Sequence, residues 1–188
     1  MANSKRTMQS SSRSSNIRGT SSLIIFDFDQ TLVDTSPVEA LRSVRNWKAV
    51  MAEVSRLKVY DGINALLAEL HAAGKRLAIV TKSPDMVPKA FIKQHDWPID
   101  IVVGYHHVKR RKPDPEGLLL AMSQADAAPN STFHIGDQPE DTLAAQAAGV
   151  TAIGSAWGLT EVTALEASQP DQLFATVLEL RRFLLDRS

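Results

Sequence analysis

Leu23-Ile24-Ile25-Phe26-Asp27-Phe28-Asp29-Gln30-Thr31 is an apolar run that stops in two carboxylates two residues apart. The run reads as a strand, and the period-2 geometry of a strand puts Asp27 and Asp29 on the same side. Like charges that close raise each other's pKa unless a cation joins them. The pair therefore suits either metal binding or a division of labour between a nucleophile and a proton donor. Taken alone, Asp-x-Asp is matched equally well by a strand that simply ends in polar residues.

Working outward, short apolar runs alternate with longer segments of helical period, the signature of βα units. Leu77 to Val80, Ile99 to Val103, Thr132 to Ile135 and Val150 to Ile153 read as strands. Helices are expected near 85–95, 114–125 and 140–148. Val38, Leu41, Val44, Trp47, Met51, Val54 and Leu57 recur every three or four residues, which predicts one amphipathic helix or a tight helical pair. Asp61 is placed to cap a helix carrying Ile63, Leu66, Leu67 and Leu70, which Gly74 ends. A short helix near 161–167, a strand at Gln172 to Phe174 and a last helix through Arg182 complete the reading. The expected fold class is α/β, a doubly wound, mainly parallel sheet, whose ligands collect at the carboxyl ends of the strands.

Those ends carry more chemistry. The strand from Thr132 is followed by Gly136-Asp137-Gln138-Pro139-Glu140-Asp141, one carboxylate leaving the strand and another at a helix start. Asp141 has the alternative of a plain N-cap. Leu77 to Val80 runs into Thr81-Lys82-Ser83, offering a hydroxyl, an ammonium and backbone N–H groups to an anion. Lys112 sits in Lys109-Arg110-Arg111-Lys112-Pro113-Asp114-Pro115, where the prolines stiffen the loop and aim the side chain before them. One cation is needed against so many carboxylates, and Lys112 is the best placed.

Composition sets the outer limits. The 188 residues hold 21 Lys+Arg, 21 Asp+Glu, no Cys and 44% hydrophobic residues, as expected of one globular domain. Disulfides, thiolate metal sites and cysteine nucleophiles are excluded. No stretch approaches the roughly 20 apolar residues of a membrane span. Residues 1–22 contain eight serines and four basic residues without an acid, which reads as a disordered leader, and the remainder is mildly acidic.

Four motifs in order at strand ends resemble the haloacid dehalogenase (HAD) superfamily on its phosphatase side, similar to phosphoglycolate phosphatase relatives. They are Phe26 to Leu32, Thr81, Lys112 to Pro115, and Gly136 to Asp141. Tyr60-Asp61-Gly62, Ala148-Gly149 and Trp157-Gly158 add to the likeness, which covers about 23–158. The resemblance implies a Mg²⁺-dependent phosphomonoester hydrolase in the cytoplasm. It makes Asp27 the nucleophile that becomes an aspartyl-phosphate and Asp29 the general acid and base. Thr81 and Lys112 would hold the phosphoryl oxygens, with Lys82 beside them. Asp27, Asp29 through its backbone carbonyl, Asp137 and Asp141 would surround the metal. Gln30 departs from the Gly of many members, which bears on loop shape rather than chemistry.

In this reading residues 23–188 are the hydrolase core, with a minimal helical cap insert at about 34–59. So small a cap leaves a fairly open site, which suits a bulky phosphorylated substrate or closure by a second subunit, while the apolar stripe with Trp47 and Met51 packs on its own core or on that subunit; a monomer or a homodimer is expected. The partner is a small phosphorylated substrate. Arg42, Arg45 and Lys48, and the cluster His106 to Arg111, offer charge for a second phosphate, but charge rows are mostly solvated faces. A nucleic-acid end is not favoured, because no aromatic stacking series accompanies the charge. The alternatives are a phosphomutase of the same superfamily, which needs water excluded, and a non-catalytic phospho-ligand protein.

Overall fold

The structure is a computed structural model that describes residues 22–186. The leader read at residues 1–22 lies outside the described residues apart from Ser22, whose carbonyl accepts from the Arg76 N–H. The elements in chain order are β1 (Leu23–Phe26), β2 (Val33–Asp34), α1 (Glu39–Ser43), α2 (Trp47–Glu53), β3 (Lys58–Val59), α3 (Ile63–Ala72) and β4 (Arg76–Val80). Then come α4 (Met86–His95), β5 (Ile101–Val103), α5 (Glu116–Ala125), β6 (Thr132–Gly136), α6 (Pro139–Ala148) and β7 (Thr151–Ser155). The last three are α7 (Thr163–Ala167), β8 (Gln172–Phe174) and α8 (Val177–Leu185).

Six strands form one sheet in the order β5-β4-β1-β6-β7-β8, every pairing parallel. β1 is central because all four of its residues are buried apolar side chains, the pattern of a strand covered on both faces. Ile24 and Phe26 face one layer of core with Leu66, Leu70, Phe91 and Leu180, and Leu23 and Ile25 face the other with Leu118, Ala121, Ala144 and Ala145. Alanine dominates the second layer, which lets α5 and α6 lie close to the sheet. The chain leaves β1 for β4 on one side and later returns to β6 on the other. The carboxyl end of β1 is therefore a topological switch point, where open α/β sheets leave a crevice.

The segment between β1 and α3 is small. β2 pairs antiparallel with β3, so residues 34 and 58 meet and close the insert at its stem. The predicted period resolves into a helical pair, broken at Val44–Asn46, with Asn46 capping α2 through the Ala49 N–H. Val50 and Val54 are buried, and Trp47 and Met51 pack against the main core, so the insert covers most of its apolar stripe and leaves Val44 exposed. The cap of α3 is Gly62, at φ +86, and no side chain caps it; Asp61 lies one residue too early and is exposed.

Phe91 carries the densest part of the main core: its ring meets Phe28 edge-on at 5.2 Å and stacks near Trp97 at 6.0 Å. Phe91→Ala is expected to lower unfolding free energy by about 3–5 kcal/mol in urea titrations. A loss below about 1 kcal/mol would show that α4 does not bear on this core.

Candidate active site

The sheet brings three chain ends together. Asp27 follows β1, and its N–H is tied to the Ile135 carbonyl at 2.8 Å. Thr81 follows β4, and Asp137 follows β6 with Asp141 one helical turn later in α6. Lys112 enters from the loop before α5, donates to the Val80 carbonyl at 3.1 Å, and places Nζ 2.8 Å from Asp27 and 2.5 Å from Asp141. One carboxylate oxygen each from Asp27, Asp137 and Asp141 lies within 4.8 Å of the others, and all three residues are buried.

Electrostatics separates these groups. Burial pushes the Asp27 carboxyl well above its usual range, with Lys112 opposing and Asp141, Asp137 and Asp29 adding to the rise. Asp137 is pushed up to about 6 by burial and by the neighbouring Asp141. Burial acts on Asp141 in the same direction, but Lys112 and His134 together outweigh it and hold that carboxyl below the usual range. Lys112 itself is held above its ordinary value, because Asp141 and Asp27 overcome its burial. Three acids thus share one ammonium, an all-oxygen donor set of the kind hard divalent cations prefer.

Asp29 is turned to different partners. Its Oδ2 faces Arg42 at 2.8 Å and accepts from Ser83 Oγ at 2.8 Å and Thr81 Oγ1 at 3.3 Å. Its Oδ1 is buried without a hydrogen-bond partner among the described residues. The carboxyl of Asp29 stands outside the acid triad, so only its backbone remains for the metal role read from the sequence. Of the N–H groups expected at the β4 turn, that of Thr81 goes to the Val103 carbonyl and that of Ser83 to Thr81 Oγ1. Lys82 is half exposed and pairs with Glu140 at 3.2 Å.

Comparison with known proteins follows from this geometry. A family profile described as haloacid dehalogenase-like hydrolase matches residues 37–155. "Probable phosphatase IndB" of Dickeya dadantii is 35% identical over 153 residues, covering 77% of this chain and 66% of that protein. The chain belongs to the haloacid dehalogenase-like hydrolase family. Thr81, Lys112, Asp137 and Asp141 fall within the matched span, and Asp27 and Asp29 lie just before it. Phosphoglycolate phosphatase of Xanthomonas campestris is 29% identical, covering 67% of this chain and 58% of its own. That of Escherichia coli K12 is 31% identical, covering 61% and 46%. The chain thus spans about half to two thirds of the length of these curated relatives. A hydrolase structure from Pseudomonas syringae shares the fold, with a TM-score of 0.74 at 22% identity over 88% of this chain and 98% of that one.

Several members of this haloacid dehalogenase-like site carry no sequence signal of their own. Arg42 reads as part of a surface charge row, yet it turns inward to Asp29. His134 is an inward residue of β6, with Nε2 3.3 Å from Asp141 Oδ1 and Nδ1 3.3 Å from the Ile25 carbonyl, and burial holds its pKa below the ordinary value. Thr31 reaches Asp137 at 3.3 Å and Ser155 at 3.1 Å from 106 and 124 residues away. Gly136 is the one neighbour with a legible reason: a Cβ there would overlap the Asp141 side chain. Gln30 takes the left-handed conformation, φ +60, and keeps the expected turn by donating to the Val33 carbonyl and accepting from the Tyr60 hydroxyl.

An acid whose folded pKa is raised destabilises the fold at any pH above that value. Asp137→Asn is therefore expected to stabilise the cation-free protein at pH 7 by about 1–3 kcal/mol. The gain should shrink as pH falls from about 6 and vanish below about 4, where Asp137 is protonated in both states. Saturating divalent cation should reverse the order, since it stabilises only the triad that binds it. Unfolding curves at both pH values, with and without cation, decide the matter; an Asn variant stabilised by cation as much as the wild type would refute the triad.

Proposed function

We propose that the chain is a Mg²⁺-dependent phosphomonoester hydrolase working through an aspartyl-phosphate on Asp27. The observation that carries this reading is the division of the two carboxylates that end the first strand. Asp27 shares Lys112 and the acid triad, while Asp29, two residues on, has a separate set of donors and one unpartnered oxygen. Two acids so near with different surroundings are suited to different tasks.

In the first step an oxygen of Asp27 attacks phosphorus as the bond to the leaving oxygen breaks, and Asp29 gives that oxygen its proton. In the second, Asp29 takes a proton from water as the water oxygen attacks phosphorus. The bond to Asp27 breaks, inorganic phosphate leaves, and Asp29 is again protonated. Thr81 and Lys112 flank the position of the phosphoryl oxygens and neutralise charge there. Asp27, Asp137, Asp141 and the backbone carbonyl of Asp29 would hold Mg²⁺, which when bound neutralises the phosphoryl charge. Lys112 also fixes Asp27 and Asp141 relative to one another, which keeps the nucleophile oriented.

The phosphatase names of the relatives support hydrolysis as the outcome. Exposed side chains border the site on the insert side, among them Glu39, Arg45 and His106, which leaves water access. A mutase has to exclude water between its two transfers, so that alternative is disfavoured.

Asp27→Asn should reduce phosphate release by at least about 10³-fold while leaving the circular dichroism spectrum unchanged. EDTA should stop the wild type and Mg²⁺ restore it. Metal-independent release, or an active Asp27→Asn protein, would overturn the reading.

A further inference from the structure

On the Arg42 and Ser83 side of Asp29, α1, the start of α2 and the turns after β4 and β5 line a cavity of about 450 Å³. Asp29 fixes where this cavity stands relative to the reaction. The leaving oxygen must lie against Asp29, because that carboxyl protonates it. Two of the groups holding Asp29, Arg42 and Ser83, line the cavity. The cavity begins where the leaving group departs.

Its walls describe what fits. Trp47 and Tyr105 contribute aromatic surface. The backbone of Tyr105 is held from both sides: its N–H donates to the Ser83 carbonyl, and its own carbonyl accepts from Arg111 at 3.1 and 3.3 Å. The Arg111 guanidinium also lies 3.8 Å from the Tyr105 ring centroid. A rigid aromatic wall favours a planar partner at little entropic cost. Arg42, Arg45 and Lys82 bring positive charge, against Glu39 as the one acid of the lining. Arg42 is engaged by Asp29 and Glu39, and Lys82 by Glu140. Arg45 has no carboxylate partner among the described residues, and its guanidinium stands 5.7 Å from the Tyr105 centroid.

The backbone at Arg45 is a second, independent observation. α1 ends with the Asn46 N–H on the Leu41 carbonyl and the Arg45 N–H on the Arg42 carbonyl, both at 2.9 Å. That is the Schellman pattern, whose left-handed position is normally glycine. Here Arg45 occupies it at φ +56. A long cationic side chain is kept in a conformation that glycine would adopt with less strain, at the rim of a cavity where it has no carboxylate partner among the described residues and stands over the Tyr105 ring.

We infer that this cavity receives the leaving group, and that the substrate is a small phosphomonoester whose leaving group is a ring bearing a further negative charge. The ring lies against Tyr105 and Trp47, and the charge meets Arg45. A two-carbon acid such as the glycolate of 2-phosphoglycolate would leave most of this volume to water. The inference rests on the hydrolase reading for the role of Asp29 and adds the substrate class.

Three esters separate the contributions: 4-carboxybenzyl phosphate has ring and charge, 4-methylbenzyl phosphate the ring alone, and 2-phosphoglycolate the charge alone. With Mg²⁺, kcat/KM for the carboxybenzyl ester is expected to exceed each of the others by at least about tenfold. Arg45→Gly should erase the preference of carboxybenzyl over methylbenzyl, mainly through KM, while thermal stability stays equal or rises. A purely structural Arg45 would instead leave that ratio unchanged, and this result, or 2-phosphoglycolate as the best substrate, overturns the inference. If no ester is hydrolysed, 4-nitrophenyl phosphate included, the hydrolase reading has failed. Calorimetric titration with the two benzyl esters then judges the cavity alone. At least about tenfold tighter binding of the carboxybenzyl ester, lost in Arg45→Gly, supports it, and equal binding overturns it.

Discussion

Lys112 makes the carboxyl edge of the sheet possible. Two like charges 4.8 Å apart repel by about 3 kcal/mol at an effective dielectric near 20, and the triad contains three such pairs. Summed, that repulsion is comparable to the whole stability of an ordinary domain. The buried ammonium, within 2.8 Å of Asp27 and 2.5 Å of Asp141, offsets much of it and leaves Asp137 the least compensated. A second cation is what the remaining imbalance calls for. The same electrostatics that makes the cation-free site costly favours a cation within reach of the three acids.

Around this centre the neighbours are arranged to hold geometry rather than add charge. His134 lies against Asp141, Thr31 steadies Asp137, and Gly136 leaves room for Asp141 to approach. The turn after Asp29 is closed by contacts that explain two distant motifs. Tyr60 bonds Gln30, Trp157 Nε1 donates to the Thr31 carbonyl at 2.9 Å, and a Cβ at Gly158 would collide with the Gln30 carbonyl. These contacts replace whatever freedom a glycine at position 30 would have provided.

The small insert does two jobs with few residues. Most of its apolar stripe closes on the main core, which Trp47 and Met51 pack against. Its polar side reaches the site through Arg42, which connects the Asp29 carboxyl to the wall of the neighbouring cavity.

The order of strands and helices, the two carboxylates after β1 and the acids after β6 were legible in the sequence, because alternating apolar runs set the elements and the residues ending a strand must lie at its edge. Thr81 and Lys112 were legible for the same reason, each sitting at a junction marked by strand end or proline. What the sequence left open were relations between segments far apart in the chain. Whether Arg42 faces solvent or Asp29 depends on how α1 is seated, which the pairing of β2 with β3 decides. The splitting of one helical period into α1 and α2 rests on a left-handed Arg45, a conformation no composition rule assigns to arginine. His134, Thr31 and Ser155 became site residues only when β6, β1 and β7 were laid side by side. Sequence patterns report what each residue needs locally; which unpaired group meets which is decided by the tertiary packing that removes both from water.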